Sequence, residues 1–220
     1  MALRIIGTQA QSVVFNGHVE TEDDLFGYNF ANQPLGDPHH SRVVVVGLAN
    51  YATKTGSDIS GVKIQGIAAT RQIKSAYPYP RAEIWSAEVP TGTTGTIYMS
   101  LGTGGIGLDV AIWSLYGLFQ KVTPYNTAQL NQSSGGQISL SVPSQKGIAI
   151  VFGVQRTSTG LARGITWGYP GIDMNPTVDF VGESGSVSGV SRANLPETSI
   201  FTVEATPLTG VVTIVGTTWR

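Results

Sequence analysis

The chain predicts an all-β fold, an antiparallel β-sandwich of jelly-roll type with two pseudo-repeated halves. Three observations carry that expectation. The run Arg42-Val43-Val44-Val45-Val46-Gly47-Leu48-Ala49 is echoed by Lys146-Gly147-Ile148-Ala149-Ile150-Val151-Phe152-Gly153-Val154, and each copy leads through a similar succession of segments. In the first copy these are 61–66, 84–90 and 111–116; in the second they are 164–171, 199–205 and 211–220. Short β-branched and aromatic segments alternate throughout with Gly, Pro, Ser and Thr clusters, the pattern of a two-sheet sandwich, and helix has almost no claim on the chain.

Taken in order, residues 1–40 read as an N-terminal arm with edge strands. Leu3 to Ile6 and Ser12 to Phe15 are short strand-like segments, followed by the acidic residues Glu20, Glu22, Asp23 and Asp24 and a loop rich in Asn, Gly and Pro. Such an arm can cover a sheet edge that would otherwise template aggregation. Residues 41–220 form the sandwich domain, with pseudo-repeats at about 42–118 and 146–220. Val43 to Ala49 and Ile148 to Val154 are continuous apolar runs, as expected of strands buried on both faces. Thr96 to Leu101 and Gln137 to Val142 alternate as half-exposed strands do. Thr91 to Gly95, Gly102 to Gly105 and Ser133 to Gly136 read as turns, and residues 119–136 as an irregular crossover. About eleven strands are expected, with Val44, Val46, Ile64, Ile112, Ile150 and Phe152 in the core.

Composition excludes several function classes. A chain of 220 residues buries roughly 70% of its unfolded surface, enough for one large sandwich without a covalent staple. Charged residues make up 12% of the chain, about half the usual share, so Ser, Thr, Asn, Gln and backbone amides carry much of the solubility. A formal net charge of −1 offers no attraction for phosphates, which argues against a nucleic-acid partner. The absence of cysteine removes disulfides, thiolate nucleophiles and cysteine-based zinc sites. The longest apolar runs are far shorter than a membrane span, so no membrane insertion is expected. The N-terminus lacks the apolar stretch of a secretory signal, which points to synthesis in a cytoplasm.

Five pieces of the sequence are similar to the β-sandwich structural proteins of tailed bacteriophages and prophages. They are Arg42 to Val46, Gly61 to Gly66, Val89 to Gly95, Trp113 to Gly117 and Thr123 to Thr127. Gly164 to Gly168 and the terminal Thr-Trp-Arg extend the likeness over residues 42–220. The resemblance implies a virion component of tail, fibre, baseplate or capsid surface, and it supplies no catalytic residues. Partners would be other virion proteins and further copies of the chain, a trimer suiting a fibre or a surface knob. The Asp37-Pro38-His39-His40 stretch departs from the family pattern, so the arm is expected to serve this particle's own assembly.

Candidate chemistry is sparse, and no catalytic, cofactor or metal site is expected. There is no Gly-x-Ser-x-Gly elbow to present a nucleophile. His39 and His40 are adjacent and would diverge in a strand, which leaves them as loop residues at a subunit contact. Glu20, Glu22, Asp23 and Asp24 lack the spacing of a calcium loop and read as a solvated face or a patch that meets basic residues. Gly102 to Gly107 lacks the following helix and lysine of a phosphate loop and reads as a hairpin turn. Tyr77-Pro78-Tyr79-Pro80-Arg81, with Arg71 and Lys74 nearby, is a stiff aromatic segment suited to protein contact or, as the alternative, to host-surface glycan. The interaction residues expected are therefore Tyr77, Tyr79, Arg81, His39, His40, Glu22, Asp23 and Asp24. A glycan-degrading enzyme is the remote alternative, because it needs two carboxylates flanking a cleft and no pairing is signalled.

Overall fold

The computed structural model describes residues 10–50, 58–76, 80–119, 123–132, 138–142, 147–156, 166–168, 176–181, 185–193, 195, 201–206 and 211–220. Among them there is no helix. The protein is an all-β assembly of antiparallel sheets packed against one another. The first sheet contains β1 (Ser12–Pro34), β2 (Val43–Asn50), β3 (Ile59–Ile64), β4 (Ile67–Ala68), β5 (Thr70–Lys74), β6 (Arg81–Glu88) and β7 (Thr94–Tyr116). Its order is β4-β3-β7-β2-β6-β5, with β1 paired along the other edge of β7. The second sheet runs β12-β13-β10-β15-β8, built from β8 (Asn126–Gln132), β10 (Ile148–Arg156), β12 (Pro176–Val181), β13 (Gly185–Arg192) and β15 (Val211–Trp219). A third sheet joins β11 (Thr166–Gly168), β14 (Phe201–Thr206) and β9 (Ile138–Val142), and β9 lies against β8 and β15.

The valine run explains the layering. All eight residues of β2 are buried, yet their side chains alternate between two separate cores. Val43, Val45 and Ala49 join Ala82, Ile84, Trp113 and Leu115 in a core shared with Ile148, Ile150, Phe152, Val154 and Val215 of the second sheet. Val44, Val46 and Leu48 join Trp85, Val110 and Ile112 in a core completed by Tyr28, Phe30, Ile59, Ile64, Ile97 and Met99 of the same sheet. The first sheet therefore curls over itself until β4 approaches β6, and its central strands carry apolar side chains on both faces. The six core residues expected from sequence are all fully buried.

Four sequence expectations are corrected. Fifteen strands are found among the described residues, four more than expected, because the irregular segments contain short strands such as β4 and β8. Residues 12–34 are one strand, not a short strand followed by an acidic stretch and a loop. Residues 1–9 lie outside the described residues, Leu3 to Ile6 among them, and Tyr28, Phe30 and Leu35 belong to the core. Gly102 to Gly107 is no hairpin turn; it lies within β7. Between the pairs Leu25↔Gly105 and Gly27↔Ser100, four residues of β7 stand opposite Phe26 alone, a wide bulge where the strand passes from β3 to β2 as its other neighbour. A glycine cluster serves such a bulge as well as it serves a turn. Residues 119–136 are not irregular throughout, since β8 occupies 126–132 and pairs with β15.

In the two pseudo-repeats, the first and last strands pair with each other: β2 with β7, and β10 with β15. The third segments differ. β6 pairs with β2, whereas β14 pairs with β9 and β11 in the third sheet. The β3–β4 connection is a two-residue hairpin in which Gln65 and Gly66 have φ of 51° and 79°, the primed turn whose twist matches the flanking strands.

Packing between the sheets is close at Gly47. A Cβ there would sit 2.7 Å from the Phe152 ring and 3.1 Å from Trp113, and the two rings meet edge to face at 6.3 Å. Gly47→Ala should therefore destabilise by about 1–3 kcal/mol through overpacking, and Phe152→Ala by about 3–5 kcal/mol through the cavity it leaves. In urea denaturation the double variant should lose clearly less than the sum, because the smaller side chain frees the space that the methyl needs. Additive losses would mean that the two positions do not share this contact.

Candidate functional site

Among the described residues, polar chemistry collects in three places, built by strand register and the turns between strands. The first is the turn ahead of β2. The backbone N–H of Arg42 donates to the His39 carbonyl at 2.9 Å, and that of Ser41 donates to His39 Nδ1 at 3.1 Å. The His39 ring lies 4.2 Å from that of His40 and 6.1 Å from that of Tyr116. This turn delivers Arg42 into the interior, fully buried. Its guanidinium donates to three carbonyls: Nε to Val89 at 2.6 Å, one terminal nitrogen to Gly36 at 2.7 Å and the other to Thr91 at 2.7 Å. His39 is thus half-buried and structural, while His40 is exposed.

The second place is the β5–β6 hairpin. Tyr77 and Tyr79 lie outside the described residues. The flanks of their segment are tied to the second sheet: the Ala76 N–H donates to Gln129 Oε1 on β8, and Thr213 on β15 donates to the Pro80 carbonyl at 3.1 Å. Arg81 is 9% exposed and ion-paired with Asp58, which also accepts from Lys74 Nζ at 2.9 Å. The bond from Lys74 comes first, and with the charge of Arg81 it holds the Asp58 carboxyl below its ordinary value. Behind them, Arg71 stacks over Trp85 at 5.3 Å and reaches within 3.7 Å of Glu83 Oε2. Glu83 is fully buried on the same strand face as Trp85, whose Nε1–H donates to Oε2 at 2.8 Å. Its Oε1 has no partner among the described residues. Burial pushes this carboxyl above its ordinary value, against the opposing pull of Trp85 and Arg71. Arg71 and Lys74 are the cations presented to solvent here, whereas Arg81 is turned inward.

The third place is β1. Asp23 is exposed and caps a local bend: Thr21 Oγ1 donates to its carboxylate at 3.0 Å, and its carbonyl accepts from the Tyr28 hydroxyl at 2.6 Å. The side chains of Glu22 and Asp24 lie outside the described residues. Glu20 does not stay with this acidic group. Register places it opposite Asp109 of β7, and His18 Nε2 lies 3.1 Å from Asp109 Oδ1. Sequence reading missed this grouping. The alternation His18-Val19-Glu20 was its only local signal, since Asp109 arrives from 91 positions away.

No family model matches the chain, and no curated protein matches it. Among solved structures it is similar to the glycoside hydrolase BuGH86 in complex with neoagarooctaose, in the wild-type form and in a variant form. Each shows 14% identity and a TM-score of 0.28, covering 94% of this chain and 33% of that one. An anti-sigma factor domain-containing protein is similar at 7% identity and a TM-score of 0.26, covering 93% of this chain and 85% of that one. The chain thus spans a third of the hydrolase's length, and at these scores neither likeness bears on what it does.

Two measurable consequences follow from the buried polar groups. Arg42→Met leaves three carbonyls without their charged donor and should cost about 3–5 kcal/mol in denaturant unfolding. Arg42→Lys keeps the charge but not the planar fork, and should fall between the variant and the wild type; wild-type stability in Arg42→Lys would show that the fork is dispensable. Glu83 supplies a pH signature. Its folded carboxyl keeps a proton that the unfolded chain has released, so its favourable contribution is complete below the ordinary value of 4.5. That contribution is lost as pH rises through the raised folded value. Urea midpoints should therefore fall with rising pH in the wild type more steeply than in Glu83→Gln. Identical pH slopes would exclude a perturbed Glu83.

Proposed function

We propose that the chain is a non-enzymatic structural component of a tailed-bacteriophage virion. It would be a sandwich of jelly-roll type in the tail, fibre, baseplate or capsid surface, acting by self-association and docking on other particle proteins. One observation carries this reading. β1 is 23 residues long and pairs only through β7 among the described strands. Midway along it, Leu25 and Phe26 are 45% and 72% exposed, at the place where its register with β7 breaks. An open strand edge with exposed apolar side chains at its centre supports assembly, because a neighbour's strand or loop can pair with the backbone and cover the side chains.

The buried carboxylates support the same reading. Glu83 accepts from Trp85 and Asp109 pairs with His18, so the two buried carboxylates have different partners within the fold. Glycoside hydrolysis by paired carboxylates needs the acid and its partner to face a substrate from opposite sides. The flanks of the Tyr77–Arg81 segment are anchored to the second sheet at Ala76 and Pro80, and the segment would contact a neighbouring subunit.

Light scattering on the purified chain over a micromolar range tests self-association. The wild type should form a closed homo-oligomer, a trimer in this reading, and Phe26→Lys should weaken it by about 2 kcal/mol or more, about thirtyfold, if Phe26 is a buried anchor. At concentrations where both are dissociated the melting temperature should be unchanged, since Phe26 lies outside the core. A wild type that stays monomeric and fails to enter particles, or that depolymerises host polysaccharide, would sink the proposal.

A further inference from the structure

We infer that His18, Glu20 and Asp109 form a binding site for a divalent transition-metal ion of the zinc or manganese type, which clips the edge strand β1 onto β7. A ligand nitrogen of His18 and carboxylate oxygens of Glu20 and Asp109 all lie within 4.8 Å of one another. A tetrahedral ion with bonds of about 2.0–2.2 Å holds its donors about 3.3–3.6 Å apart. The 3.1 Å between His18 Nε2 and Asp109 Oδ1 is already near that separation, and rotation of the exposed Glu20 side chain brings the third donor in.

The backbone is arranged to bring these three side chains together. β1 pairs Phe15 with Trp113 and Gly17 with Ile112, so Asn16 is an inserted residue. The insertion reverses the facing of the residues that follow it as far as Thr21, where the register next shifts. Without it, Gly17 and Val19 would share the face of Asp109; with it, His18 and Glu20 do, opposite Ala111 and Asp109. Asn16 is held in place by its bond to Ser114 Oγ at 2.8 Å. On the neighbouring strand, Gly47 and Ala49 stand beside Ala111 and Asp109, so the three donors are flanked by small residues.

Electrostatics supply a separate argument. Glu20 and Asp109 face each other directly across the ladder, where like charges destabilise an antiparallel pair, and Asp109 is 2% exposed. A divalent cation neutralises both carboxylates and makes the arrangement favourable; a protonated His18 neutralises one. The imidazole selects against calcium and magnesium, which take oxygen donors, and points to zinc, manganese or ferrous iron. With three protein donors, one or more positions stay open to water or to a donor from a neighbouring chain.

The test uses the full chain after treatment with a chelator. Zinc, manganese and calcium ions are each titrated in, with calorimetry and thermal melts as readouts. One zinc or manganese ion should bind per chain and raise the melting temperature, and calcium should do neither. Glu20→Gln, on the surface and tolerable to the fold, should weaken binding at least about tenfold, and His18→Gln should do the same if it folds. The His39→Gln/His40→Gln double variant should bind like the wild type. No uptake of zinc or manganese, or uptake that survives Glu20→Gln but disappears with His39 and His40, would overturn the site.

Discussion

The constraint on which the rest of this structure depends is that β2 has no polar face. A strand of eight buried residues must be covered on both sides, and alternation sends Val43 and Val45 one way and Val44 and Val46 the other. The second sheet provides one cover. The other must come from the first sheet itself, and it can do so only if some strands run from one layer into the next. β1 and β7 do this at 23 residues each, several times the ordinary strand length. The low charge of the chain has the same origin, since strands buried on both faces have no place for ions.

Closing the curl leaves polar groups inside it, and Arg42 collects them. It stands immediately ahead of β2, and its three acceptors come from the connection after β1 and from the connection between β6 and β7. One planar cation therefore reinforces two chain crossings that the backbone joins through the Leu35 N–H and the Thr93 carbonyl at 2.8 Å. Fully hydrogen-bonded, it is tolerated in the interior; with a partner lost, it would become an uncompensated charge there. Glu83 is the contrasting case. Satisfied on one oxygen only and buried beside Trp85, it meets the cost of burial by holding its proton more tightly.

How much of this was legible in the sequence depended on range. The doubly buried strands were plain, because a run of β-branched residues without polar interruption has few other meanings. The Asn-, Gly- and Pro-rich segment after the acidic residues was misread as loop, because its composition reflects an irregular edge strand and not a missing one. Gly102 to Gly107 was misread as a reversal, because glycine marks a bulge in a strand and a turn with the same letters. His18 and Glu20 could be seen to share a face, yet Asp109 could not be placed with them. That required a cross-strand register and one inserted residue at Asn16, and neither has a local signature. The segment around Arg81 was legible as cationic, but its ion pair with Asp58 depends on a contact 23 residues away that no local pattern encodes.

The irregularities of β1 also bear on how such a long edge can exist. A flat strand of this length with an open side would template pairing with any extended chain. β1 departs from regular register at four places along β7, after Phe15, Thr21, Leu25 and Phe30. Each departure adds twist and interrupts the row of outward backbone groups, so that only short stretches present a regular ladder. Indiscriminate pairing is thereby discouraged, while side chains at the breaks are turned to new directions. Leu25 and Phe26 are presented outward at one break, and His18 and Glu20 are aimed at Asp109 by another. The same backbone defects that protect the edge therefore restrict what could pair with it: a strand added here would have to follow the short regular stretches between the breaks and match the side chains presented at them.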